Sequence, residues 1–527
     1  VRARAYLPFV SAALLWAAFP PVGAAPLAWM ALAPLVVFLE REPSRRRRWL
    51  LAFAFGWAFG TAGLYWLAHV LLIAPPLVGL YFGLVGWGFA LAYRALRAVG
   101  FPVMFATAAG WTAMEWSREW LFTGLPYIFV GHASAVLPSV AQIADLAGVP
   151  GVTFVLALGS GAVASVWLDP HRRRWWLPPA VACAATVAAG IYGVIRRSAL
   201  NVEEVLDVAV VQPNIAQEAK WELDPQQVFT EHRRWTDQIL RAPKPPDMIV
   251  WPEVSFTWPI VAQDGRWSPY AAEKTSEERA HEAIMYMRTA GAPILFGATV
   301  VEFGDRNGRA SERRIHEYVS ALLVGPAGIA GRYDKERLVP FGEYVPLSSF
   351  FPRSVDWIRR WTGFALVFSA GTPRPPVEVA GRRLGMLVCF EALFPSLARA
   401  RVQHGADVLV NLSNEAWFRE SAEMEQMLAS CMFRAIETRR GMVRCTNTGI
   451  SAILDPDGSV RAVVADGGRR RGVAGIARGA VRSTRDTTLC VRCGWMFGPA
   501  CGLSAAVAWA VSGAGFFLRR RKESRAP

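Results

Sequence analysis

Charge is the first thing this chain is short of. Asp, Glu, Lys and Arg make up only 19% of its 527 residues, where a soluble globular chain carries about a quarter. Disordered, coiled-coil and collagen-like chains are excluded, and membrane spans are expected. Acids are scarcer than bases, 42 against 57, for a formal net charge of +15. Cysteine is scarce as well: seven residues make no disulfide framework in a chain this long. The seven histidines are scattered, with no HExxH, no paired CxxC motifs, no Walker-type phosphate loop and no internal repeat. No metal and no cofactor is therefore expected. Apolar residues, by contrast, make up 53%.

A helix needs about 20 mostly apolar residues to cross the hydrocarbon core. Seven stretches in the first 200 residues reach or approach this, roughly 6–24, 26–39, 49–73, 76–96, 101–117, 150–168 and 176–195, and an eighth follows at 498–518. Pro20, Pro21 and Pro26 make the first junction a tight helical hairpin. The first stretch is long and lacks a small-residue cleavage site, so it reads as an anchor and not a removed signal. Basic clusters follow the second stretch (Arg41, Arg45 to Arg48), the fourth (Arg94, Arg97), the sixth (Arg172 to Arg174) and the eighth (Arg519 to Arg521, Lys522), while Arg2 and Arg4 precede the first. All lie on one side, which the positive-inside rule makes cytoplasmic. The net charge thus reads as topology, and no nucleic-acid partner is expected. The expected organisation is a seven-span domain over 1–197, an outer domain over 198–497, the eighth span at 498–518 and a basic tail at 519–527.

The outer domain changes character. Short β-branched runs (207–212, 248–251, 294–300, 318–324, 384–390, 407–413 and 443–447) alternate with helical spacing over 225–242, 273–290, 395–404 and 421–440. That alternation predicts an α/β or layered α+β domain.

Three residues in it could carry chemistry. Cys389 ends the apolar strand of GMLVCFEALF, where nearby helix-end amides would favour a thiolate. Taken alone it could equally be a buried strand cysteine. Glu253 closes another strand in MIVWPEVSF, a candidate general base whose pKa burial would raise, or simply a loop acid. Lys335 follows a strand hairpin in VGPAGIAGRYDKERLVPFGEYVP; its ammonium could lower the thiol pKa and stabilise an oxyanion, or sit exposed in a loop. In the membrane part, Glu115 and Arg118 form a candidate polar pair near the outer end of the fifth span.

The order WPE, then Lys before LVPFGEYVP, then CFE resembles the nitrilase (carbon–nitrogen hydrolase) superfamily, and within it the apolipoprotein N-acyltransferase family. The resemblance spans nearly the whole chain. It includes TGLPYIFVGH (123–132), NLSNEAWF (411–418) and FRAIETRRGMVRCTNTGISAILDPDG (433–458). It implies a multi-pass helical membrane domain plus a nitrilase-like αββα sandwich outside the cytoplasmic membrane. Glu253 would be the general base, Lys335 the electrostatic stabiliser and Cys389 the nucleophile. Glu343 matches a second acid near this triad, and Glu391 would support the nucleophile loop. Asn414, Glu415 and Trp417 match a loop flanking the acyl site, while Arg434, Glu437 and Arg439 match a structural helix oriented by ion pairs.

The implied reaction is transfer of a fatty acyl chain from a membrane phospholipid to the α-amino group of an apolipoprotein's diacylglyceryl-cysteine. It would run through a thioester on Cys389, on the periplasmic side of the bacterial inner membrane. The aromatic stretch 340–370, with Phe341, Phe350, Phe351, Trp357, Trp361 and Phe364, would cover the lipid entrance as an arm. A membrane-tethered amidase would share the triad and use water as acceptor, which eight spans argue against. This chain departs from the family pattern at Phe390, where Tyr is common, at TGLPY (123–127), at Glu415, where Asp is frequent, and over 487–498. Cys490 and Cys493 form a lone CxxC there, either paired or incidental.

Overall fold

The computed structural model describes residues 4–217, 224–263, 266–270, 273–303, 314–348, 350–362 and 368–523. Contacts divide them into two compact units: 1–200 with 421–437 and 487 onward, and 201–420 with 438–486. Residues 487–497 and most of the predicted 421–440 helix thus group with the helices of the first unit.

Among the described residues, four helices of the first unit are long and apolar enough to cross a membrane: Ala74–Ala98, Ala144–Leu168, Leu177–Ser198 and Gly494–Gly513. The other predicted spans correspond to Leu7–Ala17, Ala33–Arg41 and Val103–Ser117, which are shorter, and to Arg45–Gly63, which opens on four arginines. Small residues let Arg45–Gly63 and Ala74–Ala98 approach closely. A Cβ on Gly56 would strike the Phe82 carbonyl, and one on Gly86 the Ala52 carbonyl, so a side chain at either would push the helices apart. Helix Ala144–Leu168 breaks at Ala147 and Gly148, with Pro150 just beyond, where the sixth span was expected to begin.

Glu115 and Arg118 are both fully buried. They bind the same loop from two sides. Glu115 accepts from Trp111 Nε1 at 2.8 Å, Val130 N at 2.6 Å and Thr153 Oγ1 at 2.6 Å. Arg118 donates to the carbonyls of Leu125 and Tyr127 and lies over the rings of Phe82 and Phe129. Pinning a loop with positive φ at Phe122, Thr123 and Ile128 accounts for both residues.

The second unit is built on two sheets. Strands β1 (Glu203–Gln212), β2 (Met248–Val250), β3 (Phe256–Gln263), β4 (Arg266–Pro269), β5 (Ile294–Phe303), β6 (Arg314–Gly325) and β7 (Gly328–Asp334) join β14 (Gly475–Ser483) in the first. Strands β8 (Val377–Val379), β9 (Arg382–Val388), β10 (Val408–Ser413), β11 (Gly441–Thr446), β12 (Ala452–Leu454) and β13 (Val460–Val463) form the second. The β6–β7 hairpin ahead of Lys335 is present as expected, paired antiparallel to Gly325 and Gly328.

Alternation along the strands sorts the side chains. Val208, Val210 and Val250 of one sheet share a core with Met386, Val410 and Val443 of the other. The opposite face of the first sheet, with Val211, Ile249 and Trp251, packs under helices Pro225–Leu240 and Lys274–Thr289. Helix Pro395–Gln403 lies on β9, where Gly385 clears room for the Arg401 stem. Helices on both sides of two face-to-face sheets make the sandwich expected of the outer domain.

Candidate active site

Glu253, Lys335 and Cys389 all stand just past the C-terminal ends of strands, those of β2, β7 and β9. β2 and β5 are parallel, and the two antiparallel steps from β5 through β6 return β7 to the same direction. C-terminal strand ends are where open α/β sheets place ligands.

The turn carrying Glu253 is fixed by close backbone contact. Trp251 N donates to Leu295 O at 2.8 Å and Ser255 N to Gly297 O at 3.0 Å, while Val254 takes φ 51°. A Cβ on Gly297 would lie 2.5 Å from Val254 N and 2.7 Å from Glu253 Cα, so only glycine lets this turn fold against β5. Trp251 is fully buried, its Nε1 donating to Thr236 Oγ1 at 3.0 Å.

Lys335 is the centre of charge. It is completely buried, and its Nζ donates to Glu253 Oε1 at 3.1 Å and to Glu343 Oε1 at 2.6 Å. Glu343 is held in turn by Val339 N at 2.8 Å. Desolvation opposes the ammonium, but Glu253 and Glu343 outweigh it and hold Lys335 well above the ordinary lysine range. Burial pushes the Glu343 carboxyl up against the pull of Lys335.

Glu391 ties the lysine loop to the cysteine strand. Its carboxylate accepts from Glu336 N at 2.7 Å and Arg337 N at 3.0 Å, just past Lys335, and from Val388 N at 2.7 Å, just before Cys389. Tyr333 Oη donates to it at 2.8 Å and accepts from Arg401 Nη2 at 2.7 Å. One buried carboxylate therefore fixes the spacing of two loops far apart in sequence.

Cys389 keeps partial exposure and takes φ 51°, a left-handed backbone unusual for a residue with a side chain. Its thiol is pushed well above the ordinary range by desolvation first and the Glu253 carboxylate second, against the pull of Lys335. The expected thiolate is thus not what the surroundings favour. The helical turn that follows, Cys389–Leu393, has five residues, and its amides do not offset a carboxylate at close range. A neutral thiol needs a base to react.

This has a measurable sign. Glu253→Gln removes a charge that raises the thiol pKa, so the pH midpoint of Cys389 alkylation by iodoacetamide is expected to move down. Lys335→Met removes a charge that lowers it, and the midpoint should move up. An unmoved midpoint in both variants would mean that neither side chain addresses the sulfur.

The remaining expected residues fall into two groups. Phe390 is buried and packs edge-on against Phe394, ring centroids 5.1 Å apart, so a hydroxyl in its place would have to leave an apolar contact. Asn414 joins a separate network: it donates to Gln217 Oε1 at 2.9 Å and accepts from Asn447 Nδ2 at 2.9 Å. Trp417 lies half-buried on the turn Glu415–Phe418. Within the first unit, Arg434 pairs with Glu437 at 2.8 Å and Glu437 accepts from Val149 N at 2.9 Å, the orienting role expected of them. Arg439 lies beyond the helix end and donates to Pro456 O at 3.1 Å. Cys490 and Cys493 are free thiols. Tyr333, Arg401, Asn411 and Arg444 escaped the sequence reading; Tyr333, Asn411 and Arg444 lie inside matched stretches but were given no role there, and Arg401 lies outside them.

Among the described residues no group of His, Cys, Asp and Glu could hold a metal ion. A carboxylate, an ammonium and a partly exposed thiol at strand ends can together take up an acyl group: one moves protons, one offsets negative charge, one forms the bond.

The chain is similar to known proteins along most of its length. A carbon–nitrogen hydrolase family model matches residues 207–486, which makes the two-sheet unit a nitrilase-like domain. A second model, the apolipoprotein N-acyltransferase N-terminal domain, matches residues 11–162. The apolipoprotein N-acyltransferase of Geobacter metallireducens is 31% identical over 87% of this chain and 86% of its own length. That of Azotobacter vinelandii is 30% identical over 99% of this chain and 96% of its own. Among solved structures, a Nesterenkonia AN1 amidase of the nitrilase superfamily is similar at 15% identity and TM-score 0.36, over 52% of this chain and 90% of that one. The class is a nitrilase-like acyl-transfer enzyme joined to helices able to span a membrane. The chain belongs to the apolipoprotein N-acyltransferase family.

Proposed function

We propose that this enzyme moves a fatty acyl chain from a membrane phospholipid to the α-amino group of an apolipoprotein's diacylglyceryl-cysteine, by a ping-pong route through a thioester on Cys389. The observation that carries the reading is Lys335 Nζ bridging Glu253 and Glu343, with a partly exposed thiol at the end of β9.

Glu253 takes the thiol proton as sulfur attacks the ester carbonyl. The carbonyl oxygen gains negative charge, which Lys335 and the amide of Phe390 offset. Collapse breaks the bond to the glycerol oxygen; Glu253 returns the proton to that oxygen, lysophospholipid leaves and the thioester remains. The acceptor amine then attacks the thioester, giving a proton to Glu253, and collapse expels the Cys389 sulfur, which regains that proton. No cofactor takes part.

Both substrates are lipids. On this reading eight spans anchor the chain in the bacterial inner membrane with the nitrilase-like unit on the periplasmic side. The arm fits the same reading. Phe341, Phe350 and Phe351 are 59%, 77% and 65% exposed and Leu347 64%, more apolar surface than a solvated loop presents without a partner. The arm also carries the helix Arg353–Thr362; Phe364 lies outside the described residues. Changing Phe350 and Phe351 together to Ser is expected to raise KM for phospholipid about tenfold while leaving Tm unchanged. An unchanged KM would remove the arm from lipid capture.

The test of the whole is mass spectrometry of Cys389 after incubation with phospholipid. An acyl adduct should accumulate alone and discharge as N-acyl peptide when diacylated lipopeptide is added. Free fatty acid as the product would make the enzyme a hydrolase.

A further inference from the structure

The carbonyl of Cys389 has a side-chain donor, which it shares with that of Leu387. Asn411, within β10, sends Nδ2 to Leu387 O at 2.9 Å and to Cys389 O at 3.3 Å. Its Oδ1 accepts from Arg444 Nη1. Arg444 stands opposite Asn411 in the parallel register of β10 and β11, and both are fully buried. Arg444 is itself held by Glu415 Oε1 and by the carbonyl of Ile450 at 3.2 Å.

This arrangement leaves the amide no choice of orientation. A guanidinium has donors only, so its bond must fall on Oδ1, and the Asn411 nitrogen must face the nucleophile's backbone. A trans peptide is planar, with its C=O and the following N–H pointing opposite ways. The Cys389–Phe390 bond is not among the cis peptides. Drawing the Cys389 oxygen toward Asn411 therefore turns the Phe390 N–H the other way. The same bond steadies a residue whose left-handed φ of 51° is costly for a side-chain-bearing residue.

We propose that Asn411, oriented by Arg444, is a positioning residue for the oxyanion: it sets the Cys389–Phe390 peptide plane so that the Phe390 amide meets the oxygen that turns negative as the S–C bond forms. The inference rests on the acyl-enzyme reading above. It concerns one peptide plane and leaves Glu253 and Lys335 in their roles.

The experiment uses the full chain in detergent and two reactions of the same sulfur. Acylation from phospholipid passes through an oxyanion; alkylation by iodoacetamide, a displacement at a saturated carbon, does not. Asn411→Leu is expected to slow formation of the hydroxylamine-sensitive acyl group by about 10- to 100-fold, up to the loss of one oxyanion donor. KM for phospholipid, the alkylation rate and its pH midpoint should stay at wild-type values. Asn411→Ser carries the same expectation should the Leu variant not fold. Wild-type acylation in the variant overturns the proposal. So does parallel loss of acylation and alkylation, the mark of a merely structural role. A wild-type enzyme that takes no acyl group at all would bring down the acyl-enzyme reading and this inference with it.

Discussion

Cys389→Ala is expected to abolish acyl transfer, by at least about four orders of magnitude, the scale seen when a nucleophile is removed from an intact site. No other thiol can stand in. Cys431, Cys445, Cys490 and Cys501 are buried, and Cys445 points into the sandwich, where it donates to the carbonyls of Val211 and Val250. Cys183 and Cys493 are exposed but belong to the helical unit. The substitution removes one atom from a partly exposed residue, so Tm should hardly change. The measurement is N-acylation of a diacylated lipopeptide with phospholipid as donor, alongside recovery of acyl label on the enzyme. Normal turnover in the variant would refute the mechanism outright.

Lys335→Met should damage both activity and stability, the latter far more than Cys389→Ala does. Its ammonium is the cation that both Glu253 and Glu343 contact. Removing one partner of a buried charge cluster costs about 3–5 kcal/mol, because the carboxylates left behind have given up water and receive nothing in exchange. Loss of oxyanion stabilisation should lower kcat by about a thousandfold. The pH dependence has a definite sign. In the wild type the raised Lys335 pKa means its contribution is complete below the ordinary lysine range and is lost only in strong alkali. In the variant, Glu343, already raised by burial, rises further without its cation. Protonation relieves the repulsion, so the Tm deficit should be smallest near about pH 5 and widen toward about pH 8. A deficit independent of pH would mean that the carboxylates do not feel the missing charge.

Much of the fold was legible because it rests on local signals. The strands β1, β2, β5, β9, β10 and β11 are short β-branched runs buried on both faces, which read as continuous apolar stretches. The helices between them carry an apolar stripe at helical spacing. The strands that escaped are of another kind. β14 is diluted by Gly475, Arg478, Gly479 and Arg482, yet it pairs along β1 from Gln212 back to Glu203. β8 and β12 have three residues each, too few for any alternation to show. Of the site, Glu253, Lys335 and Cys389 stood in motifs at strand ends. Asn411 and Arg444 lay within matched stretches but inside strands, and carried no role there, since a polar residue inside an apolar strand looks the same whether it is a blemish or half of a pair.

What the chain's order of residues determined by itself is the division into apolar helices and an α/β unit, and three candidate side chains that the family resemblance drew together. Hydropathy and strand propensity act over a few neighbours, so they can be read in place. Only the tertiary structure decided which charges meet and in what protonation state. Glu253 and Lys335 are 82 residues apart and Glu391 reaches 55 residues back to Glu336, and it is desolvation of the assembled pocket that keeps the Cys389 proton in place until a base removes it.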